Sequence, residues 1–103
     1  MQPIDKIRLS HYIKGKDEAY FEVALKNFLR LFPYSGVQPS KVIGITEAQV
    51  LGEEEIVAAA AYALCSRSED RFNKPKGRKK ALGRLMDAWL GAKPHKFVKI
   101  YTP

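Results

Sequence analysis

The first third of the chain shows two successive periods of apolar residues. Ile7 and Leu9 each lie between polar residues. This alternation is typical of a half-buried strand and predicts one over residues 4–13. Between positions 17 and 32, apolar residues recur at intervals of three or four, an acidic pair begins the segment and Pro33 follows it. These features predict an amphipathic helix over residues 17–32.

Two apolar runs occupy the middle of the chain, and the second is ambiguous. Residues 41–51 contain several β-branched side chains, so we predict a strand. Residues 53–65 begin with three glutamates and are rich in alanine, which favours a helix by propensity. However, Ile56–Cys65 is apolar on every face, as a central strand would be, and Gly52 could turn a hairpin. We favour a strand over 53–65; a helix there would make the domain mainly α.

The last third contains the patterns of a second helix and a short strand. Asn73 can cap a helix that runs to about Leu90, with Pro75 tolerated in its first turn. One apolar stripe runs along this helix, and its members are Ala81, Leu82, Leu85, Ala88 and Trp89. Residues 96–101 alternate between two faces and predict a final strand.

The predicted order of elements is strand, helix, strand, strand, helix, strand. This is the ferredoxin-like βαββαβ pattern, and it predicts a small α+β protein with two helices on an antiparallel sheet. The chain has 103 residues, of which 46% are apolar. That size and composition are typical of one globular domain, so we predict a single domain over residues 1–103.

Positive charge is concentrated in the last third of the chain. The formal net charge is +7; residues 67–103 carry eleven basic residues against three acidic ones, whereas residues 41–66 carry one against four. A small domain with such a basic region tends to bind anions, whether nucleic acid, acidic proteins or anionic lipid. The charge pattern therefore points to an anionic partner.

The densest positive charge lies between residues 67 and 84, where eight of eighteen residues are basic. Most of these lie near the start of the predicted second helix, where the helix dipole disfavours cations. A docked anion would reverse that sign, and Gly77 would let a phosphate approach the backbone closely. A solvated basic face is the alternative. The predicted phosphate-binding residues are Arg67, Arg71, Phe72, Lys74, Lys76, Gly77, Arg78, Lys79, Lys80 and Arg84.

Within this set, Arg78 and Phe72 are expected to differ from the rest. On a helical wheel Arg78 falls within the apolar stripe, so we expect a semi-buried guanidinium. It would contact a phosphate, pair with Glu69 or Asp70, or extend outward along its stem. The outer faces of the helix would carry Lys76, Lys79, Lys80 and Arg84. Phe72, flanked by basic residues, is the candidate for base stacking.

Few residues suggest catalysis or cofactor binding. Cys65 is the single cysteine, and His11 and His95 are far apart, so the chain has no zinc-site spacing. Neither a dinucleotide-binding nor a phosphate-loop motif occurs. We expect no enzyme activity and no cofactor, with Cys65 buried in the core. The absence of an internal disulfide, of a secretory signal and of a span-length apolar run predicts a soluble cytoplasmic protein without a membrane partner.

The block from Ala63 to Leu85 resembles one found in small, mostly uncharacterised bacteriophage-encoded proteins. The shared pattern is a strand ending in Cys-Ser followed by polar and basic positions, and here these are Cys65, Ser66, Asp70, Phe72, Gly77, Arg78, Ala81 and Arg84. The resemblance implies a strand before Cys65. It also implies a phage or mobile-element origin, which would place the protein in the host cytoplasm.

These observations predict a small basic accessory protein that binds phosphate-bearing partners, chiefly nucleic acid (DNA or RNA) through its backbone. Two alternatives stay open. One is a counter-defence inhibitor that binds a host protein. The other is a small-nucleotide-binding protein, whose pocket would form at a homo-oligomer interface because one small domain offers little depth.

Overall fold

The computed structural model describes residues 6–66, 73–91 and 97–101. Within these residues the chain forms four strands and two helices, in the α+β arrangement and the order that the sequence predicts. The elements are β1 (Lys6–Ile13), α1 (Glu18–Leu31), β2 (Val42–Leu51), β3 (Val57–Ser66), α2 (Lys74–Trp89) and β4 (Val98–Ile100). Neither helix is long and apolar enough to cross a membrane.

The four strands form one antiparallel sheet in the order β1-β2-β3-β4. Each strand therefore pairs with its neighbour in the chain, even where a helix comes between the two. His11 in β1 lies opposite Thr46 in β2, and Glu47 lies opposite Tyr62 in β3. Directly opposed residues share a face of the sheet, so these two pairs identify its two faces.

The ambiguous segment 53–65 forms a turn and then a strand. Glu53–Glu55 make a short 3-10 turn and β3 begins at Val57. The predicted hairpin is therefore confirmed, although the strand starts four residues later than expected, because the glutamates are needed for the turn. Residues of β3 are buried on both faces, which explains why the run is apolar throughout and lacks the alternation of an edge strand.

The two helices pack against opposite faces of the sheet. On one face, Phe21, Leu25 and Phe28 of α1 pack in a core cluster with Val42, Ile45, Ala60, Tyr62 and Phe97. On the other, Ala81 and Leu85 of α2 pack with Ala48, Val50, Ala59, Ala61 and Ala63. The alanines of β2 and β3 leave room for α2 to lie close to the sheet. This close packing places α2 over β2 and β3, with His11 of β1 beside its N-terminal half.

Candidate functional site

Helix α2 begins where the sequence predicts. The Asn73 side chain caps it by accepting a hydrogen bond of 3.0 Å from the Lys76 backbone N–H, and Pro75 lies in the first turn. The Gly77 N–H donates to the Asn73 backbone oxygen at 3.0 Å. Because Pro75 has no N–H group and the next two amides already have partners, the backbone offers few donors to a bound anion. The side chains of α2 are therefore the main donors available to an anion here, and the close approach of a phosphate at Gly77 stays a prediction.

A groove of about 360 Å³ lies between the N-terminal half of α2 and β1. We call it the α2–β1 groove, and it is lined by His11, Lys74, Pro75, Arg78, Lys79 and Leu82. The three basic side chains are exposed, and none of the described residues that line the groove is acidic. The groove therefore offers several cationic donors to a ligand on one concave surface.

His11 forms the β1 side of this groove. Its Nδ1 lies 2.9 Å from the Thr46 hydroxyl oxygen, which faces it across the two strands. Partial burial lowers the pKa of His11 below its usual value, and the positive charges of Lys74 and Arg78 lower it further. Lys74 and Arg78 therefore lie close enough to His11 to disfavour its charged form, in addition to the larger effect of burial.

The groove cations lack acidic partners in the described part of the chain. In this part, Lys6 forms an ion pair with Glu55 at 3.1 Å, at the β2–β3 turn and away from α2. Lys74, Arg78, Lys79 and Lys80 make no ion pair with any described residue. Like charges so close on one helix repel each other, and a bound anion would relieve that repulsion.

The structure reverses the roles predicted for two arginines of α2. Arg78, expected to lie inward, is exposed and lines the α2–β1 groove, which agrees with the alternative that it extends outward. Arg84, expected on the outer face, is half-buried. Its Nη1 donates a hydrogen bond of 2.6 Å to the Tyr62 backbone oxygen, and its guanidinium carbon lies 5.4 Å from the centre of the Phe97 ring.

The helical wheel failed here because it contains no information about the sheet edge. The Tyr62 N–H donates to the Phe97 oxygen at 3.0 Å, just before β4 begins at Val98. At this end of the β3–β4 pairing, the Tyr62 carbonyl accepts from Arg84. Burial lowers the pKa of Arg84. Arg84 therefore serves the fold in this structure, while Arg78 takes the position at the groove.

The remaining predicted residues fall into two groups. Lys76, Gly77 and Lys80 border a small hollow on the other side of α2, where the helix meets the end of β3. Basic side chains therefore lie on both sides of α2, Lys76 and Lys80 on one side and Lys74, Arg78 and Lys79 on the other. Arg67, Arg71 and Phe72 lie outside the described residues, as do Glu69 and Asp70.

Sequence reasoning missed His11 and Leu82 as members of the site. His11 stood alone in the sequence, and only the register of β1 against β2 brings it opposite α2. Cys65 is buried, as predicted. In the described part of the chain, no group of three or more His, Cys, Asp or Glu residues could hold a metal ion.

Comparisons with known proteins identify no relative. No protein-family model, no curated protein and no solved structure matches this chain. The function must therefore be argued from the groove and its charges.

Proposed function

We propose that this protein binds nucleic acid through its phosphate backbone, with the α2–β1 groove as the main contact surface. In this proposal it is an accessory protein of phage or mobile-element type that acts in the cytoplasm. The observation that carries the proposal is the groove lining: Lys74, Arg78 and Lys79 converge on one concave surface, and no described residue of that surface is acidic.

The groove favours backbone contacts over base reading. Lysine and arginine side chains bind phosphate oxygens without regard to sequence. Sequence-specific readers commonly insert a helix or β-ribbon into the major groove to reach base edges, whereas these cations line a concave surface. Lys76 and Lys80, on the other side of α2, would extend the contact to neighbouring phosphates. Binding should therefore be strong at low salt and show little sequence preference.

A charge-reversal experiment tests whether the groove is the contact surface. The triple variant Lys74→Glu, Arg78→Glu, Lys79→Glu should lose binding to a fluorescent oligonucleotide in an anisotropy titration. The matched control reverses three exposed lysines elsewhere, at Lys16, Lys26 and Lys99, and should retain most of its affinity. Equal losses in both variants would show that only net charge matters and would contradict the groove as the binding site.

A second candidate is a small phosphate compound, since the groove is concave and its volume falls within the range of roughly 300–1,000 Å³ usual for ligand pockets. The same two variants distinguish the candidates when mononucleotides are titrated beside oligonucleotides. Affinity that grows with oligonucleotide length supports nucleic acid. Mononucleotide affinity equal to that of the longest oligonucleotide would favour the small ligand.

A further inference from the structure

A second concave site lies on the opposite face of the sheet from α2. This cleft of about 200 Å³ separates α1 from the strands, and we call it the tyrosine cleft. Its polar lining consists of Asn27, Arg30, Glu47, Gln49, Tyr62 and Tyr101. The volume is below the range of roughly 300–1,000 Å³ for drug-sized ligands, so the cleft suits a small planar ring system.

Glu47 is held in place in this cleft and keeps most of its acceptor capacity. Oε1 has no partner among the described residues, and Oε2, which accepts one bond, can take another. The Tyr62 hydroxyl donates a hydrogen bond of 2.7 Å to Glu47 Oε2. Burial raises the pKa of Tyr62, as does the Glu47 carboxylate, so the phenol keeps its proton and remains a donor. No other described residue bonds to Glu47. A half-buried carboxylate oxygen without a partner favours a ligand that donates hydrogen bonds.

Gln49 offers the opposite hydrogen-bonding character beside Glu47. It follows two positions later on β2, so both side chains lie on the same face of the sheet. Its Oε1 accepts bonds of 2.9 and 2.6 Å from Arg8 Nε and Nη2. This fixes the orientation of the amide and leaves Gln49 Nε2 as the donor. The cleft therefore presents an acceptor and a donor next to each other.

Tyr101 supplies an aromatic surface to the same cleft. Its backbone N–H donates to the Ala58 oxygen at 2.8 Å, which continues the pairing of β4 and anchors the residue beside β3. Its side chain is 41% exposed. A partly exposed tyrosine next to a donor and an acceptor is the combination with which proteins stack and read an unpaired base.

We propose that the tyrosine cleft binds a guanine base. The Watson–Crick edge of guanine carries two adjacent donors, N1–H and the N2 amino group, followed by the O6 acceptor. The two donors suit the Glu47 carboxylate, O6 suits Gln49 Nε2, and the ring would stack on Tyr101. Adenine and cytosine each present a single donor group on this edge, so they leave part of the carboxylate unsatisfied.

Nucleosides test this proposal independently of the α2–β1 groove, because they carry no phosphate. Guanosine, inosine, adenosine and cytidine are titrated into ¹⁵N-labelled protein, and the backbone resonances of β2 and the Gln49 side-chain amide are followed by NMR. Guanosine should bind most tightly and shift these resonances. Inosine lacks the N2 amino group and should bind about tenfold more weakly, as expected for losing one arm of a bidentate contact.

Matched variants assign the effect to the cleft. Glu47→Gln keeps an oxygen to accept from Tyr62 but replaces the open acceptor, so guanosine affinity should fall about tenfold or more; Glu53→Gln, in the exposed turn, should change nothing. Tyr101→Ala should also weaken binding, whereas Tyr34→Ala, at a fully exposed position, should not. Equal affinity for all four nucleosides, or guanosine preference that survives Glu47→Gln, would overturn the proposal.

Two further ligands distinguish the source of the base. Guanosine monophosphate represents a free nucleotide, and an oligothymidine with one internal guanine represents an unpaired base in a strand. Tighter binding of the monophosphate identifies a nucleotide site. Tighter binding of the oligonucleotide, relative to oligothymidine without guanine, identifies a base-reading site within a strand.

Discussion

Arg84 on α2 donates a hydrogen bond of 2.6 Å to the backbone oxygen of Tyr62 on β3. This contact connects the helix to the sheet edge beyond the start of β4 and places the guanidinium over the Phe97 ring. It separates Arg84 from the other basic residues of α2, which are exposed. Helix α2 therefore carries one cation that stabilises the fold, Arg84, and several exposed cations that a ligand can reach.

Replacing Arg84 should destabilise the fold. Arg84→Ala removes a hydrogen bond from a charged donor, a cation–π contact and the packing of the side-chain stem, and should lower the free energy of unfolding by about 1–3 kcal/mol. Arg78→Ala, the matched control on the same helix, should stay within about 0.5 kcal/mol of the wild type because its side chain is exposed. Urea unfolding followed by circular dichroism measures both. Equal stability of the two variants would contradict the structural role of Arg84.

Asn73 should affect stability and anion binding in opposite directions. Asn73→Asp keeps a capping oxygen for the Lys76 N–H and adds a negative charge at the helix N-terminus. That charge should stabilise the helix by about 0.3–1 kcal/mol. The same charge next to the groove cations should weaken oligonucleotide binding. Asn73→Ser, which caps without charge, should leave affinity unchanged. An Asn73→Asp variant that binds as tightly as wild type would place the anion elsewhere.

His11 should make the folded protein less stable as the pH is lowered. Its folded pKa lies below the usual value of about 6.5 because of burial and the neighbouring cations. The unfolded chain therefore binds more protons than the folded protein between those two values. Stability should be fully present above about pH 6.5 and decrease as the pH drops through the folded pKa.

The variant His11→Gln isolates this effect, since it retains a polar contact to Thr46 but does not titrate. As the pH falls from 7 to 5, the unfolding free energy of the wild type should decrease relative to that of His11→Gln. A difference that does not change with pH would show that His11 has the same pKa in both states.

Two glutamates of the β2–β3 turn, Glu54 and Glu55, have a positive φ. Because Glu55 also pairs with Lys6, Glu54 is the cleaner position at which to test glycine. Glu54 has a φ of 58°, in the left-handed region that costs a non-glycine residue roughly 1–2 kcal/mol. Glu54→Gly should raise the free energy of unfolding by about 0.5–1 kcal/mol, after the larger entropy of glycine in the unfolded chain is subtracted. Glu53→Gly, where φ is not positive, should instead be destabilising. Thermal unfolding compares the two, and stabilisation by neither variant would argue against strain in the turn.

Much of the fold could be predicted from the sequence. The period of two in β1 and the period of three to four in α1 indicated both elements, and the Asn73 cap placed the start of α2. The segment before Cys65 was harder, because a buried central strand and a buried helix are both apolar on all faces. The strand order and the placement of the helices on opposite faces depend on long-range pairing, which local patterns do not contain.

The site was only partly predictable, for the same reason. The density of charge between residues 67 and 84 identified α2 as the basic element, and its exposed lysines agree with that. The pairing of His11 with the groove, the inward position of Arg84 and the Glu47–Tyr62 contact all join residues distant in sequence. They follow from strand register and from the short β4 strand, neither of which a helical wheel describes.

The salt dependence of nucleic-acid binding tests the central claim most directly. The slope of log affinity against log salt should be steep and negative for wild type on duplex DNA, near −0.9 for each phosphate contacted. Replacing Lys74, Arg78 and Lys79 with alanine should flatten it by about three units, roughly one per cation. The same replacement at the exposed Lys16, Lys26 and Lys99 should leave it unchanged. Binding insensitive to salt, or a slope that the groove variant leaves intact, would contradict the α2–β1 groove as the phosphate-binding surface.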